Sequence, residues 1–171
     1  TVYNRTLSKA EKWIKEYKGN IADTPAEAAK NSEFIFSCVG NDDDLKEISI
    51  GKDGIFHTIK KGSIYIDNTT ASAEIAKKLS KSAEAHGFRF LDAPVSGGQA
   101  GAENGTLTVM VGGSKIAFEK AEPIIACYSK KIKLLGPSGN GQLAKMVNQI
   151  CIAGLVQGLS EGINFGMKAG L

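Results

Sequence analysis

Short apolar runs of strand length alternate with helix-like stretches along most of the chain. The apolar runs predict strands at Thr1–Tyr3, Phe34–Val39, Ser63–Ile66, Phe88–Leu91, Thr106–Val111 and Lys131–Leu134. The intervening stretches predict helices at Ser8–Tyr17, Pro25–Lys30, Asp42–Ile48, Ser72–His86 and Ser114–Ala126. Strands that are separated by helices of roughly ten residues indicate βαβ units. The pattern therefore predicts an α/β fold with a doubly wound, mainly parallel sheet, whose right-handed crossovers place helices on both faces.

Residues at the ends of three predicted helices support these assignments. Ser8 as the N-cap and Glu11 three residues later would form a capping box. Thr24 is suited to the N-cap of the second helix because Pro25 follows at its first position. Gly87 is placed to end the longest of these helices as its C-cap.

The pattern changes at Gly139, where a helix-prone stretch begins and continues to the end of the chain. We therefore expect two domains, residues 1–138 and residues 139–171, the second being the first long helix of an all-α domain. Its glycines recur every fourth residue, at Gly154, Gly158, Gly162, Gly166 and Gly170. Such a row lies along one natural ridge of a helix. Either the row allows a helix of another domain or subunit to approach closely, or it reflects ordinary packing of small residues.

Composition and charge exclude several classes of function. Hydrophobic residues make up 42% of the chain and charged residues 23%, which is typical of a globular protein. The net charge is +3 with dispersed lysines, so we expect no nucleic-acid partner. The apolar stretch 150–159 is too short for a membrane span, which needs about 20 residues. It predicts a buried helix in a protein with no membrane partner.

The three cysteines, Cys38, Cys127 and Cys151, lie far apart in apolar surroundings. Their spacing matches neither a disulfide framework nor a metal site. We expect buried thiols in a reducing compartment, and hence a cytoplasmic protein with no metal.

The tripeptide Asn4-Arg5-Thr6 follows the first predicted strand. In a dinucleotide-binding fold, an acid at the end of the second strand holds the adenosine ribose, whereas an arginine accommodates the 2′-phosphate of NADP. Arg5 without a neighbouring acid therefore predicts NADP, with NAD as the alternative cofactor. The glycine fingerprint GxGxxG would lie about 20 residues upstream. We accordingly expect the chain to be truncated before Thr1, and also after Leu171.

A glycine-rich segment, GPSGNG, opens the last helix, and Lys145 lies on the following turn. Asn148 and Gln149 stand three and four residues after Lys145, so all three side chains share one helix face. The neighbouring residues are apolar, and burial disfavours the charged form of a lysine, which would suit proton transfer. From spacing alone, a surface lysine remains the commoner explanation.

A second glycine-rich loop, Ser96-Gly97-Gly98, follows a predicted strand. A serine hydroxyl and the backbone N–H groups that adjacent glycines expose can bind a carboxylate. A tight turn explains the same pattern equally well.

Together these segments resemble the β-hydroxyacid dehydrogenase family, which includes 3-hydroxyisobutyrate dehydrogenase and tartronate semialdehyde reductase. The stretch DAPVSGGQAGAENGTLTVMVGG resembles the substrate-binding signature of the family, and GPSGNGQLAKMVNQ resembles its catalytic motif GxGxxxKxxN. IDNTTASAE is similar to the D-x-S-T segment that ends the fifth strand. The resemblance covers the whole chain in order, and it implies a Rossmann-like fold that lacks its first βα unit.

The resemblance also implies roles for individual residues. Lys145 matches the catalytic lysine, which exchanges a proton with the substrate hydroxyl while hydride moves to or from NADP or NAD. Ser96, Gly97 and Gly98 match the carboxylate-binding loop, and Asn148 and Gln149 match positions that orient the substrate. The implied cofactor-binding residues are Asn4, Arg5, Thr6, Val39, Thr69 and Thr70. Thr69 replaces the usual Ser, Ala73 replaces the usual Pro, and Gln149 stands where several members have a second Asn.

The implied function is that of a 3-hydroxyacid dehydrogenase, which acts on a small hydroxy acid or semialdehyde. We expect the full-length protein to be a homo-oligomer and the 171 residues alone to be inactive. The relative 6-phosphogluconate dehydrogenase carries His-Asn where this chain has Asn148-Gln149, and imine-reducing relatives usually lack the lysine. A non-catalytic dinucleotide-binding scaffold or sensor is the alternative function, although such proteins typically lose the lysine.

Overall fold

The computed structural model describes all of residues 1–171. It has six strands: β1 (Phe34–Ser37), β2 (Ile64–Asp67), β3 (Arg89–Asp92), β4 (Val95–Ser96), β5 (Leu107–Val111) and β6 (Ser129–Leu134). A short 3₁₀ turn, Ile55–His57, precedes β2. The seven α-helices are α1 (Leu7–Glu16), α2 (Pro25–Ala29), α3 (Asp42–Ile50), α4 (Ala73–His86), α5 (Gly98–Glu103), α6 (Lys115–Ile125) and α7 (Asn140–Lys168).

The strands form two three-stranded sheets that meet at one β-bridge. In the first sheet, β1, β2 and β3 lie side by side and are parallel, in the order β1-β2-β3. In the second, β5 pairs antiparallel with β4 and parallel with β6. The bridge joins Asp92, at the end of β3, to Gly112, just after β5. The fold is therefore α/β, as predicted, with a parallel sheet and a smaller mixed sheet.

Alternation along β2 builds a core on each face of the first sheet. Tyr65 points to one face and packs with Leu79 of α4 and Phe88. Ile66 points to the other face, where it packs with Val109 of β5 and with α6. Because successive strand residues point to opposite faces, a strand with apolar residues at every position is covered on both sides. Helices lie on both faces, which confirms that prediction.

Most predicted elements are present with shifts of one or two residues, but two local predictions are wrong. Thr1–Tyr3 does not form a strand; Val2 makes only an isolated bridge to Ile21. The capping box on Ser8 is absent because α1 begins one residue earlier, with Thr6 at its N-cap and no side-chain cap. The elements β4 and α5 were not predicted. The caps at Thr24 and Gly87 are confirmed.

The long helix α7 packs against the rest of the chain only through its first turns. Its buried residues are Gly141, Gln142 and Lys145. The stretch 150–159 is exposed in this chain, so the prediction that it is buried is wrong here; no other element packs over it. No atom lies within 4 Å of the positions that Cβ atoms would occupy on the glycine row of α7.

The expectation of buried thiols is also wrong. Cys38, Cys127 and Cys151 are all exposed. Cys151 lies on the part of α7 that nothing covers, while Cys38 and Cys127 lie just beyond the ends of β1 and α6. An apolar sequence context predicted burial, but loop positions and an uncovered helix leave these side chains at the surface. None of the helices combines the length and hydropathy that a membrane span requires.

Candidate active site

Three polar residues lie side by side where the parallel strands end. Ser37 of β1 is paired in register with Asp67 of β2, and Asp67 with Asp92 of β3. All three side chains are buried. Ligands of open α/β sheets bind at the carboxyl ends of the strands, so this edge is where the site is expected.

Asp67 organises the centre of this edge. Its Oδ1 accepts hydrogen bonds from Ser37 Oγ (2.6 Å), Thr69 Oγ1 (2.6 Å) and the Thr69 backbone N–H (3.2 Å). Its Oδ2 is buried without a hydrogen-bond partner. Burial disfavours the charged carboxylate and raises the pKa of Asp67 to about 6, although the bonds from Ser37 and Thr69 act in the opposite direction.

Thr69 connects Asp67 to the neighbouring loop, which contains Val39. Its hydroxyl donates to Asp67 and accepts a hydrogen bond from the Val39 N–H at 3.0 Å. The Thr69 side chain is fully buried and engaged within the chain. Its position therefore supports a role in holding the Val39 loop, whereas direct contact with a cofactor stays a prediction.

Asp92 holds the start of α7. Its Oδ1 accepts hydrogen bonds from Ser138 Oγ (3.1 Å) and the Gly139 N–H (2.8 Å), and its Oδ2 accepts from the Gln142 N–H (3.1 Å). The first N–H groups of a helix have no partner within the helix and carry partial positive charge. A buried carboxylate from another element therefore caps α7 and fixes its start to the end of β3.

The approach of α7 to the sheet leaves no room for a side chain at Gly141. A Cβ there would lie 2.5 Å from the Met110 carbonyl oxygen and 2.7 Å from that of Asp92. On the facing segment, a Cβ at Gly112 would lie 2.6 Å from both Asp92 carboxylate oxygens. Two glycines thus allow the helix to start in direct contact with the strands, one turn before Lys145.

Lys145 is buried, in contrast to the surface lysine that spacing alone favours. Only 7% of the residue is exposed, and none of the three ion pairs in the chain involves it. Desolvation lowers the pKa of its amine. The lowered pKa enlarges the neutral fraction of the amine relative to that of a surface lysine, and a lysine of this kind is suited to proton exchange.

The predicted carboxylate-binding loop begins shortly after the end of β3. The chain leaves Asp92 and forms β4, in which Ser96 is paired with Thr108 of β5. Gly97 and Gly98 have φ values of 135° and 62°, which side chains rarely adopt. This backbone turns sharply into α5 and leaves Ser96 half-buried and Gly97 and Gly98 exposed. Contact between this loop and Lys145 stays a prediction.

Asn148 and Gln149 lie on the turn of α7 after Lys145. Asn148 is half-buried and Gln149 is exposed, and Asn148 Nδ2 donates to Gln149 Oε1 at 3.0 Å. The two amides are thus free of the rest of the chain. Their predicted role in orienting the substrate is compatible with this position.

The predicted cofactor residues border a cleft of about 720 Å³. It lies between residues 1–6 and the segment that runs from β1 into α3, and its lining includes Asn4, Arg5, Thr6 and Val39. The Asn4 side chain accepts from the Thr6 N–H at 2.9 Å and so shapes this turn. The Arg5 guanidinium is 84% exposed and pairs with Asp44 at 3.2 Å.

A second concavity lies closer to Lys145. The loop after β1 and the loop after β2 form its walls, with Thr70 and Ser72 among the lining residues and Met146 of α7 at one side. Because Met146 follows Lys145, this concavity connects the predicted cofactor loops with the base of α7. Thr70 lines this concavity, and its role as a cofactor residue stays a prediction.

Comparison with known proteins agrees with this architecture. Residues 1–136 match the family described as the NAD binding domain of 6-phosphogluconate dehydrogenase. The chain belongs to this family. It is 56% identical over 171 residues to an uncharacterized oxidoreductase of Shewanella frigidimarina, covering all of this chain and 59% of that protein.

Relatives with named activities are also similar. The mitochondrial 3-hydroxyisobutyrate dehydrogenase of Mus musculus is 36% identical over 160 residues, with 94% of this chain and 48% of that protein covered. The solved 3-hydroxyisobutyrate dehydrogenase of Mycobacterium tuberculosis with L-serine has a TM-score of 0.89 at 26% identity, covering 99% of this chain and 57% of that one. The chain thus spans about half to three fifths of the length of these relatives.

Sequence reasoning missed three residues that build the site of this NAD-binding domain. Asp67 and Asp92 each end an apolar strand, and a carboxylate at that position was a usable signal. Gln142 gave no signal, because its side-chain partners Thr69 and Ala71 lie more than 70 residues earlier in the chain.

Proposed function

We propose that the full-length protein is an NADP- or NAD-dependent oxidoreductase of the 3-hydroxyisobutyrate dehydrogenase type. It would transfer hydride between the cofactor and a small 3-hydroxy acid or its semialdehyde. The observation that carries this proposal is the largely buried Lys145 side chain, which has no ion-pair partner and lies one turn after the point where Asp92 at the end of β3 binds the start of α7. A non-catalytic scaffold gains nothing from an amine held in this environment.

The residues at the sheet edge fit a dinucleotide. The exposed Arg5 guanidinium can reach a phosphate in the cleft, and the Val39 loop is held at the cleft by Thr69. Thr70 lines the neighbouring concavity beside α7. The nicotinamide ring supplies the hydride acceptor or donor when the cofactor is bound. These residues would bind the cofactor and direct its reactive end toward α7.

The remaining roles fall to side chains and backbone of this chain. The Ser96 hydroxyl and the exposed backbone of Gly97 and Gly98 would bind the substrate carboxylate. In the direction of oxidation, the neutral Lys145 amine would accept the proton of the substrate hydroxyl, and in reduction its ammonium would return a proton to the carbonyl oxygen. Asn148 and Gln149 would hold the substrate between these groups.

A substrate screen of the full-length protein tests the activity. We expect turnover, followed by nicotinamide absorbance, with at least one of 3-hydroxyisobutyrate, glycerate, 3-hydroxypropionate and 4-hydroxybutyrate. Each acid is assayed with both cofactors, and the corresponding alcohols without a carboxylate serve as controls. If none of the acids reacts, or if the alcohols react as well as the acids, the proposed substrate class is wrong.

Cofactor preference depends on Arg5. We propose NADP, and expect Arg5→Asp to lower kcat/KM with NADP by roughly tenfold to a hundredfold while changing kcat/KM with NAD little. The physical reason is that a charge-assisted bidentate contact to the 2′-phosphate is lost and a like charge replaces it. Steady-state kinetics with both cofactors measure the effect.

The chain offers a matched control for this variant. Arg89 is the other arginine of these 171 residues; it lies at the start of β3 and pairs with Glu84. Arg89→Asp should leave the ratio of the two kcat/KM values unchanged. An equal loss with NADP and NAD in Arg5→Asp would remove the proposed contact to the 2′-phosphate.

Three further predictions concern the full-length protein and stay predictions. Residues 1–138 would form the dinucleotide-binding domain and residues 139–171 the first helix of an all-α domain. The protein would be a homo-oligomer, and it would act in the cytoplasm.

A further inference from the structure

Gln142 is completely buried, and its carboxamide joins α7 to the loop after β2. Its Oε1 accepts a hydrogen bond from the Ala71 N–H at 3.0 Å, and its Nε2 donates to the Thr69 carbonyl at 2.7 Å. A buried carboxamide that satisfies two backbone groups on one loop is a two-point contact, which fixes distance and rotation together. Rotation of α7 about its axis would therefore strain both bonds.

The loop that Gln142 contacts is itself held in place. Thr69 is bound through its hydroxyl and its N–H to Asp67, at the end of β2. The Gln142 backbone N–H donates to Asp92, at the end of β3. The position of Gln142 is thus defined from two adjacent strands.

We propose that Gln142 is a positioning residue for Lys145, and that its carboxamide sets the rotation of α7 which directs the amine toward the cofactor loop. This inference rests on the proposed role of Lys145. Residues three positions apart lie on one side of a helix, so Lys145 is on the side that Gln142 holds against the loop. The same carboxamide is bonded to Thr69 and Ala71, next to Thr70 in the predicted cofactor site. One side chain therefore couples the position of the lysine to that of the cofactor loop.

The first experiment uses the full-length protein without substrate and does not depend on catalysis. Lysine amines are labelled by reductive methylation with ¹³C, and the pKa of Lys145 is followed by NMR in wild type and in Gln142→Met. Met has a similar length but cannot make either hydrogen bond. We expect rotation of α7 to expose the amine, so that its pKa rises toward that of the surface lysines. Hydrogen exchange of the Ala71 amide should become faster by roughly tenfold, because its acceptor is lost.

Gln157→Met is the matched control, since Gln157 lies on the same helix, is exposed and bonds only to Glu161. It should change neither the pKa of Lys145 nor the exchange of Ala71. A folded Gln142→Met chain that keeps the low pKa of Lys145 would overturn the proposal, because the glutamine would then support only stability.

Gln142→Glu keeps the experiment decisive if the Met variant does not fold. A neutral Glu carboxyl has the shape of the amide, accepts from Ala71 and donates to Thr69, whereas the ionised form repels the Thr69 carbonyl. Exchange of the Ala71 amide, expressed relative to its intrinsic rate at each pH, should be as slow as in wild type where this Glu is protonated and faster than in wild type where it is ionised. Exchange that does not follow the ionisation of Glu would overturn the proposed contact.

The second experiment measures activity in the full-length protein. Gln142→Met should lower kcat by about tenfold to a hundredfold, since small displacements of a catalytic group have effects of this size. Its pH profile should shift to higher pH, following the pKa of the lysine, while KM for the cofactor changes less than kcat. If Lys145 proves unnecessary for turnover, the proposed function is wrong. The NMR experiment still tests independently whether Gln142 sets the rotation of α7.

Discussion

Lys145→Met in the full-length protein is expected to lower kcat by a factor of about 10² to 10⁴, the usual contribution of a general acid–base group. Met preserves much of the side-chain volume next to the sheet edge, but it cannot carry a proton. Cofactor binding should change little, because the predicted cofactor residues lie on other elements. Steady-state kinetics and fluorescence titration of the reduced cofactor measure the two effects.

The wild-type pH profile adds a second expectation about Lys145. The neutral amine is the base in the oxidation direction, so kcat/KM should rise with pH through the pKa of Lys145. Burial lowers that pKa, so the rise should come below the pH at which a surface lysine loses its proton. Lys115→Met is the control, because Lys115 is exposed at the start of α6 and pairs only with Glu119. Wild-type turnover in Lys145→Met would exclude the proposed mechanism.

Most of the fold follows from local sequence patterns. The run at residues 34–39 and the alternation in TLTVMV identified strands, because a buried strand needs apolar side chains on consecutive or alternate positions. Thr24 and Gly87 marked helix ends by the chemistry of their caps. The short elements β4 and α5 escaped prediction, since two residues and a glycine-rich turn carry no periodicity.

Burial could be predicted less well than secondary structure. The sequence predicts that 150–159 is apolar, but burial depends on which elements pack there, and in this chain none does. The exposed cysteines have the same explanation. An apolar neighbourhood in sequence describes the residues beside a position, whereas exposure depends on contacts that are distant in sequence.

For the site, too, residues within a continuous motif could be predicted, whereas contacts between distant parts of the sequence could not. Lys145, Ser96 and Arg5 could be proposed from motifs because each motif is a continuous stretch. The contacts that position them join Asp92 to Gly139 and Gln142 to Ala71, across 47 and 71 residues. Only the fold brings these pairs together.

The contact between Asp92 and the start of α7 should be the largest single contribution to the stability of this helix start. We expect Asp92→Asn to lower the free energy of unfolding of the 171-residue chain by about 3 kcal/mol. All the groups that face the carboxylate are donors, and the Asn amide would present a donor to at least one of them. A buried donor without an acceptor costs about 1–3 kcal/mol, and the lost negative charge next to the helix N-terminus adds to this.

Urea unfolding at neutral pH measures this effect, with Asp53→Asn as the control. Asp53 is exposed and its side chain makes no hydrogen bond, so its replacement should change the free energy of unfolding by less than about 0.5 kcal/mol. A loss below about 1 kcal/mol in Asp92→Asn would mean that water or backbone movement satisfies the helix start. In that case the carboxylate would not determine where α7 begins. If the expected loss is found, the contact with the end of β3 holds the first turn of α7 in place. The same contact then determines the distance between Lys145 and the sheet.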